Sequence, residues 1–180
     1  MKSRITKRIA VTVGALFAAG ILAGAAQAVL TSDAGGAQLR VDKRTNTLPS
    51  ATRSTSFVDL PGANVLVSIP RNQSRLYDVP FFAESQCTGP NFGNCAVRIV
   101  AISAAGTVEL NPQSGADYAF DSDMPGALTD LAEGHGMERS KRLPGGENGT
   151  NYVIQVQFAV VNPMSVFTLD DWHLAVHTNL

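Results

Sequence analysis

The feature that most constrains this chain is the alternation over residues 152–160. Tyr152, Ile154, Val156, Phe158 and Val160 fall at every second position, with Gln155 and Gln157 between them. A period of two gathers apolar side chains on one face of an extended strand, whereas a helix would scatter them around its circumference. The same period recurs upstream in Val65, Val67 and Ile69, in Tyr77, Val79 and Phe81, and in Cys95, Val97, Ile99 and Ala101 with Arg98 facing the other way. Shorter or more polar strands are predicted at residues 107–110, 117–121 and 136–143. Pro80 cannot donate to a ladder and predicts an edge strand or a bulge. In the last strand Phe167 and Leu169 share one parity and Trp172, Leu174 and Val176 the other, so a bulge or turn is expected at Asp170-Asp171. No helical period appears after residue 30; residues 125–134 have room for one short turn. Turn residues separate the runs every 8–14 positions. The expected fold is therefore all-β, a jelly-roll-type β-sandwich over residues 56–180.

The N-terminus is of another kind. Lys2, Arg4, Lys7 and Arg8 precede an uncharged apolar stretch of 16 residues from Ile9 to Gly24, followed by Ala26-Gln27-Ala28. A basic start, a short apolar helix and an A-x-A site are what an export signal requires, so residues 1–28 are expected to be a signal helix that directs secretion. The competing reading is an uncleaved anchor, because apolar residues continue to Leu30 and a membrane span needs about 20. Residues 29–55 are polar and small and are expected to be a flexible spacer, with an edge strand at residues 38–43 as the alternative. Residues 1–28 hold four of the 14 basic residues and none of the 15 acids, so the mature 152 residues carry a net charge of -5. That balance excludes nucleic acid as a partner and leaves membrane contact only to an uncleaved signal.

Cys87 and Cys95 flank the turn-rich loop Thr88-Gly89-Pro90-Asn91-Phe92-Gly93-Asn94. In an exported chain they are expected to form one disulfide; their spacing does not suit a C-x-x-C redox pair. The chain lacks G-x-S-x-G, H-E-x-x-H, phosphate-loop and dinucleotide motifs, so no cofactor and no catalytic residue is expected. His173 and His177 are about 13 Å apart at ~3.3 Å per strand residue and cannot share a metal ion. Asp121-Ser122-Asp123-Met124-Pro125-Gly126 partly imitates a calcium loop, but Pro125 takes a ligand position and the closing acid, Glu133, falls a residue late. Asp121 and Asp123 are thus a weak calcium candidate only. In a strand, His135, Met137 and Arg139 project together and Glu138 opposes them. Glu84, His135, Glu138, Arg139, Asp170, Asp171 and His173 form the candidate binding patch. Trp172 is assigned to the core because it shares parity with Leu174 and Val176.

Five blocks carry a resemblance to small secreted actinobacterial β-sandwich proteins. They are Phe82-Ala83-Glu84-Ser85-Gln86-Cys87, Cys95-Ala96-Val97-Arg98-Ile99, Asp117-Tyr118-Ala119-Phe120-Asp121-Ser122, His135-Gly136-Met137-Glu138-Arg139-Ser140 and Leu169-Asp170-Asp171-Trp172-His173-Leu174. The resemblance implies export, one disulfide and a β-sandwich, and brings no activity with it. The penultimate and terminal strands are more loosely similar to C1q/TNF-type jelly rolls. The expected function is an exported, non-catalytic module that binds a cell-surface glycan or a protein partner, with homo-oligomerisation through a sandwich face as a further expectation. The alternatives are a secreted carbohydrate-active hydrolase using carboxylates near His135 or His173, and a structural envelope protein. Convergence of those groups in one cleft distinguishes the hydrolase; dispersal over separate faces tells against it.

Overall fold

A computed structural model describes residues 38–89, 93–115, 118–122 and 132–180. The chain divides into Met1–Leu30 and Thr31–Leu180, and every described residue belongs to the second unit. The expected signal helix, residues 125–131 of the turn predicted at 125–134 and the candidate Asp123 lie outside the described residues, while Glu133 and Gly134 begin β8. Among the described residues no helix is long and apolar enough to cross a membrane.

Ten strands follow in order: β1 Gln38–Asn46, β2 Ser50–Thr52, β3 Val58–Ile69, β4 Ser74–Thr88, β5 Asn94–Ser103, β6 Gly106–Glu109, β7 Asp121–Ser122, β8 Glu133–Pro144, β9 Thr150–Val160 and β10 Val166–Asn179. They build two antiparallel sheets. Sheet A runs β1-β10-β4-β8 with β2 also on β10; sheet B runs β3-β9-β5-β6 with β7 also on β5. From β2 to β5, and again from β8 to β10, the chain changes sheet at every step. This is the jelly-roll arrangement, and it answers the alternating pattern: each strand sends one parity into the space between the sheets. Tyr152, Ile154, Val156, Phe158 and Val160 from β9 meet Tyr77, Val79 and Phe81 from β4 and Phe167, Leu169, Trp172, Leu174 and Val176 from β10 in one core.

Three departures from regular pleating shape the layers. At Asp171, whose φ is +43°, the β10–β4 register slips between Asp170 and His173, and the Asp171 N–H is taken up by Asp170 Oδ1 at 2.8 Å. The extra residue inverts the parity, so Trp172 points inward like Leu169 although three positions separate them. In β3 the register on β9 slips between Asp59 and Asn64, around Gly62 at φ +77°. The buried Gln155 amide of β9 fills this bulge, its Nε2 donating toward Leu60 O, Ala63 O and Val156 O at 3.1, 3.2 and 2.7 Å. Finally, Pro80 lies in β4, an interior strand, in a regular register rather than at the edge or bulge predicted for it. The β4–β8 ladder runs through Pro80 opposite Glu138, while the β10–β4 ladder has no register partner at Val79 or Pro80. The missing N–H therefore falls on the interrupted side, where it costs no bond.

The spacer expectation is corrected from Gln38 onward. Residues 40–46 pair with residues 172–178 of β10, and residues 50–52 pair with residues 167–169, so β1 and β2 form one edge broken near Pro49. Arg40, Asp42, Lys43 and Arg44 give this segment its spacer-like composition. Charged residues are also what keeps an exposed edge strand from pairing further. The buried disulfide Cys87–Cys95 joins β4 of sheet A to β5 of sheet B. Closing so short a loop stabilises by about 2–3 kcal/mol in the chain-entropy account.

Candidate functional site

The sheet separates the residues of the expected patch by its own thickness. On β8, His135, Met137 and Arg139 face inward, as the alternation requires, and Glu138 faces solvent. Arg139 is buried, its guanidinium 5.1 Å from the Tyr118 ring centroid and its Nε without a hydrogen-bond partner. Glu84, Asp170 and His173 belong to the outer face of sheet A, and Asp171 stands exposed on the bulge. His135 and Arg139 therefore do not converge with the carboxylates of Glu84, Glu138 and Asp170.

His135 joins a different group, one the sequence reading missed. The buried Ser85 hydroxyl donates to Asp121 Oδ2 at 2.7 Å and lies 2.8 Å from His135 Nδ1. Phe120 packs on the imidazole with ring centroids 5.7 Å apart. A serine hydroxyl has one proton, and the carboxylate is the stronger acceptor, so Nδ1 carries the hydrogen that points to Ser85. In a nucleophilic triad histidine stands between the other two and takes the serine proton. Here serine stands in the middle and its proton is committed to Asp121, so the group ties β7 to sheet A and activates no nucleophile. Asp121 Oδ1 in turn accepts the Ser122 N–H at 2.7 Å, so structural bonds engage both oxygens of the calcium candidate. Among the described residues no three acidic, His or Cys side chains are placed to hold one metal ion.

The outer face of sheet A carries the other half of the patch. Its centre is Phe82, whose side chain is 54% exposed. Phe82 is the register partner of His173 on β10 and of Gly136 on β8. Its ring packs against Gly136, where a Cβ would overlap the ring atoms Cδ1 and Cε1, so only glycine leaves the phenyl this seat. One pair further along on the same face, Glu84 stands opposite Asp170; one pair back, Pro80 stands opposite Glu138. Directly opposite side chains have Cβ atoms about 4.5–5.5 Å apart, and like charges so placed are destabilising. Among the described residues no arginine or lysine is ion-paired with any of these three carboxylates. The result is an exposed phenyl face flanked by hydrogen-bond acceptors. Phe82 was legible in principle: inward Tyr77, Val79 and Phe81 leave it facing out.

No protein-family model matches the chain, and no curated protein matches it. Among solved structures, that of infectious bursal disease virus Gx strain aligns with 86% of this chain at 11% identity and a TM-score of 0.31, the chain spanning 40% of the viral one.

Proposed function

We propose that this chain is an exported, non-catalytic β-sandwich module that binds a cell-surface glycan through the outer face of sheet A. The observation that carries the reading is Phe82, a phenyl 54% exposed on a glycine seat between the carboxylates of Glu84, Asp170 and Glu138. The apolar C–H face of a sugar ring stacks on such a phenyl, and the sugar hydroxyls donate to carboxylates around it. The split of His135 and Arg139 from the outer carboxylates, and the committed proton of Ser85, favour binding over hydrolysis. Export is supported by the Cys87–Cys95 disulfide, a bond that persists in oxidising compartments, together with the signal-like residues 1–28.

The test is a glycan array probed with the folded domain and with Phe82→Ala and Glu84→Gln. A defined set of glycans is expected to bind, with affinity reduced about tenfold or more in Phe82→Ala at unchanged melting temperature. Folded protein that retains no glycan, or a Phe82→Ala variant that binds as well as the parent, overturns the reading.

A further inference from the structure

The opposite face of the sandwich holds a cavity of about 260 Å³ lined by Phe57, Tyr118, Ala96, Ala159, Val161 and Ser114, among others. Its origin is a cross-strand pair of alanines. Ala96 on β5 and Ala159 on β9 are register partners on the outer face of sheet B, and their methyl groups leave the floor low while the aromatic walls stand above it.

Hydrogen bonds tie residues of both walls to the sandwich. The Val160 N–H donates to Ser54 O at 2.9 Å, and the Ser54 hydroxyl donates to Ser56 O at 2.6 Å, which pins the segment leading into Phe57. On the other side the Ser114 hydroxyl donates to Val97 O at 3.1 Å and the Tyr118 N–H to Gly115 O at 3.1 Å. A preformed site spends little of its binding energy on ordering itself.

Neither Arg98 nor Arg139 lines the cavity itself, but among the described residues each stands against one of its aromatic walls. Arg98, two residues beyond Ala96 on the same face, has its guanidinium 4.2 Å from the Phe57 ring centroid, and Arg139 lies 5.1 Å from that of Tyr118. Neither arginine has a carboxylate within ion-pair distance among the described residues. Arg98 Nε is taken by Gln157 Oε1 at 2.8 Å, and that glutamine passes the contact on to Asp59 at 2.7 Å. The Glu109 carboxylate at the Ser114 end is engaged by the Ser114 N–H at 2.6 Å. A cation on an aromatic face withdraws electron density from the ring, so both walls favour an electron-rich or anionic partner. The volume lies just under the range of about 300–1,000 Å³ usual for larger ligands, which fits one ring rather than several.

We propose that this cavity binds a monocyclic aromatic carboxylate, its ring on the Ala96–Ala159 floor between Phe57 and Tyr118 and its carboxylate toward Arg98. The site lies on the other sheet from Phe82 and stands or falls apart from the glycan reading. Isotope-labelled protein titrated with benzoate is expected to show saturable amide shifts at Ala96, Ala159 and Val161. Benzamide, the neutral analogue, is expected to bind about tenfold more weakly, and the difference to vanish in Arg98→Gln. Ala159→Leu, which fills the cavity, and Phe57→Ala, which removes a wall at a residue outside the strands, are each expected to abolish the shifts. Absent or non-saturating shifts, equal affinity for benzoate and benzamide, or undiminished binding by folded Ala159→Leu and Phe57→Ala would overturn the assignment.

Discussion

At the scale of single residues, burial decides chemistry that the sequence lists without ranking. Tyr77 is buried on the inner face of β4, and burial pushes its hydroxyl from 10.0 up to about 12 against the opposing pull of Arg75. Below pH 10 the hydroxyl is protonated in both states and contributes no pH dependence. Between about 10 and about 12 the unfolded chain loses this proton and the folded chain keeps it, so stability falls as pH rises through that window. Tyr77→Phe is expected to remove this part of the alkaline loss, read by denaturant unfolding on either side of pH 10; an unchanged loss would show that the hydroxyl does not carry it. Residue parity was legible: it placed Trp172 inside and set His135 and Arg139 against Glu138. The Ser85–Asp121–His135 contacts were not, because they join residues 36 and 50 positions apart and depend on how β7 lies over sheet A.

Elements show where periodicity suffices and where it fails. The change of phase at Asp170-Asp171 marked the β10 bulge in the sequence itself, since a one-residue slip flips every later side chain. The β3 bulge left no such mark, because Pro61-Gly62 reads simply as a turn and the residue that holds it, Gln155, lies on another strand. Gln155→Ala is expected to destabilise by about 2–3 kcal/mol, the cost of leaving buried carbonyls at Leu60 and Ala63 without a donor. Thermal or denaturant unfolding measures it, and a loss below about 0.5 kcal/mol would mean that water or a shifted backbone replaces the amide. Over β1 and β2 the sequence favours a spacer, with an edge strand at 38–43 as the alternative, because edge strands need charge and breaks, the same composition that linkers use. Pro80 predicts an edge or a bulge because its ring forbids one hydrogen bond; an interior strand tolerates it where one of its two ladders is already interrupted.

For the molecule as a whole, β10 is the strand on which sheet A depends, since β1 and β2 cover one side of it and β4 the other. A chain beginning at Gln38 is therefore expected to melt cooperatively, whereas one beginning at Arg53 leaves that side of β10 bare and is expected to aggregate or melt far lower. Equal melting temperatures for the two would restore the spacer. The antiparallel closure of β1 on β10 also makes Gln38 and Asn179 register partners, so both ends of the described domain leave from one corner. Tension applied through those ends loads the ladder from one extremity. Hydrogen bonds lying across the strands then open one pair after another, as a zip does, rather than together as in shear. Such a module peels at low force however firmly its core resists heat, and the Cys87–Cys95 crosslink keeps the loop it encloses out of the length released.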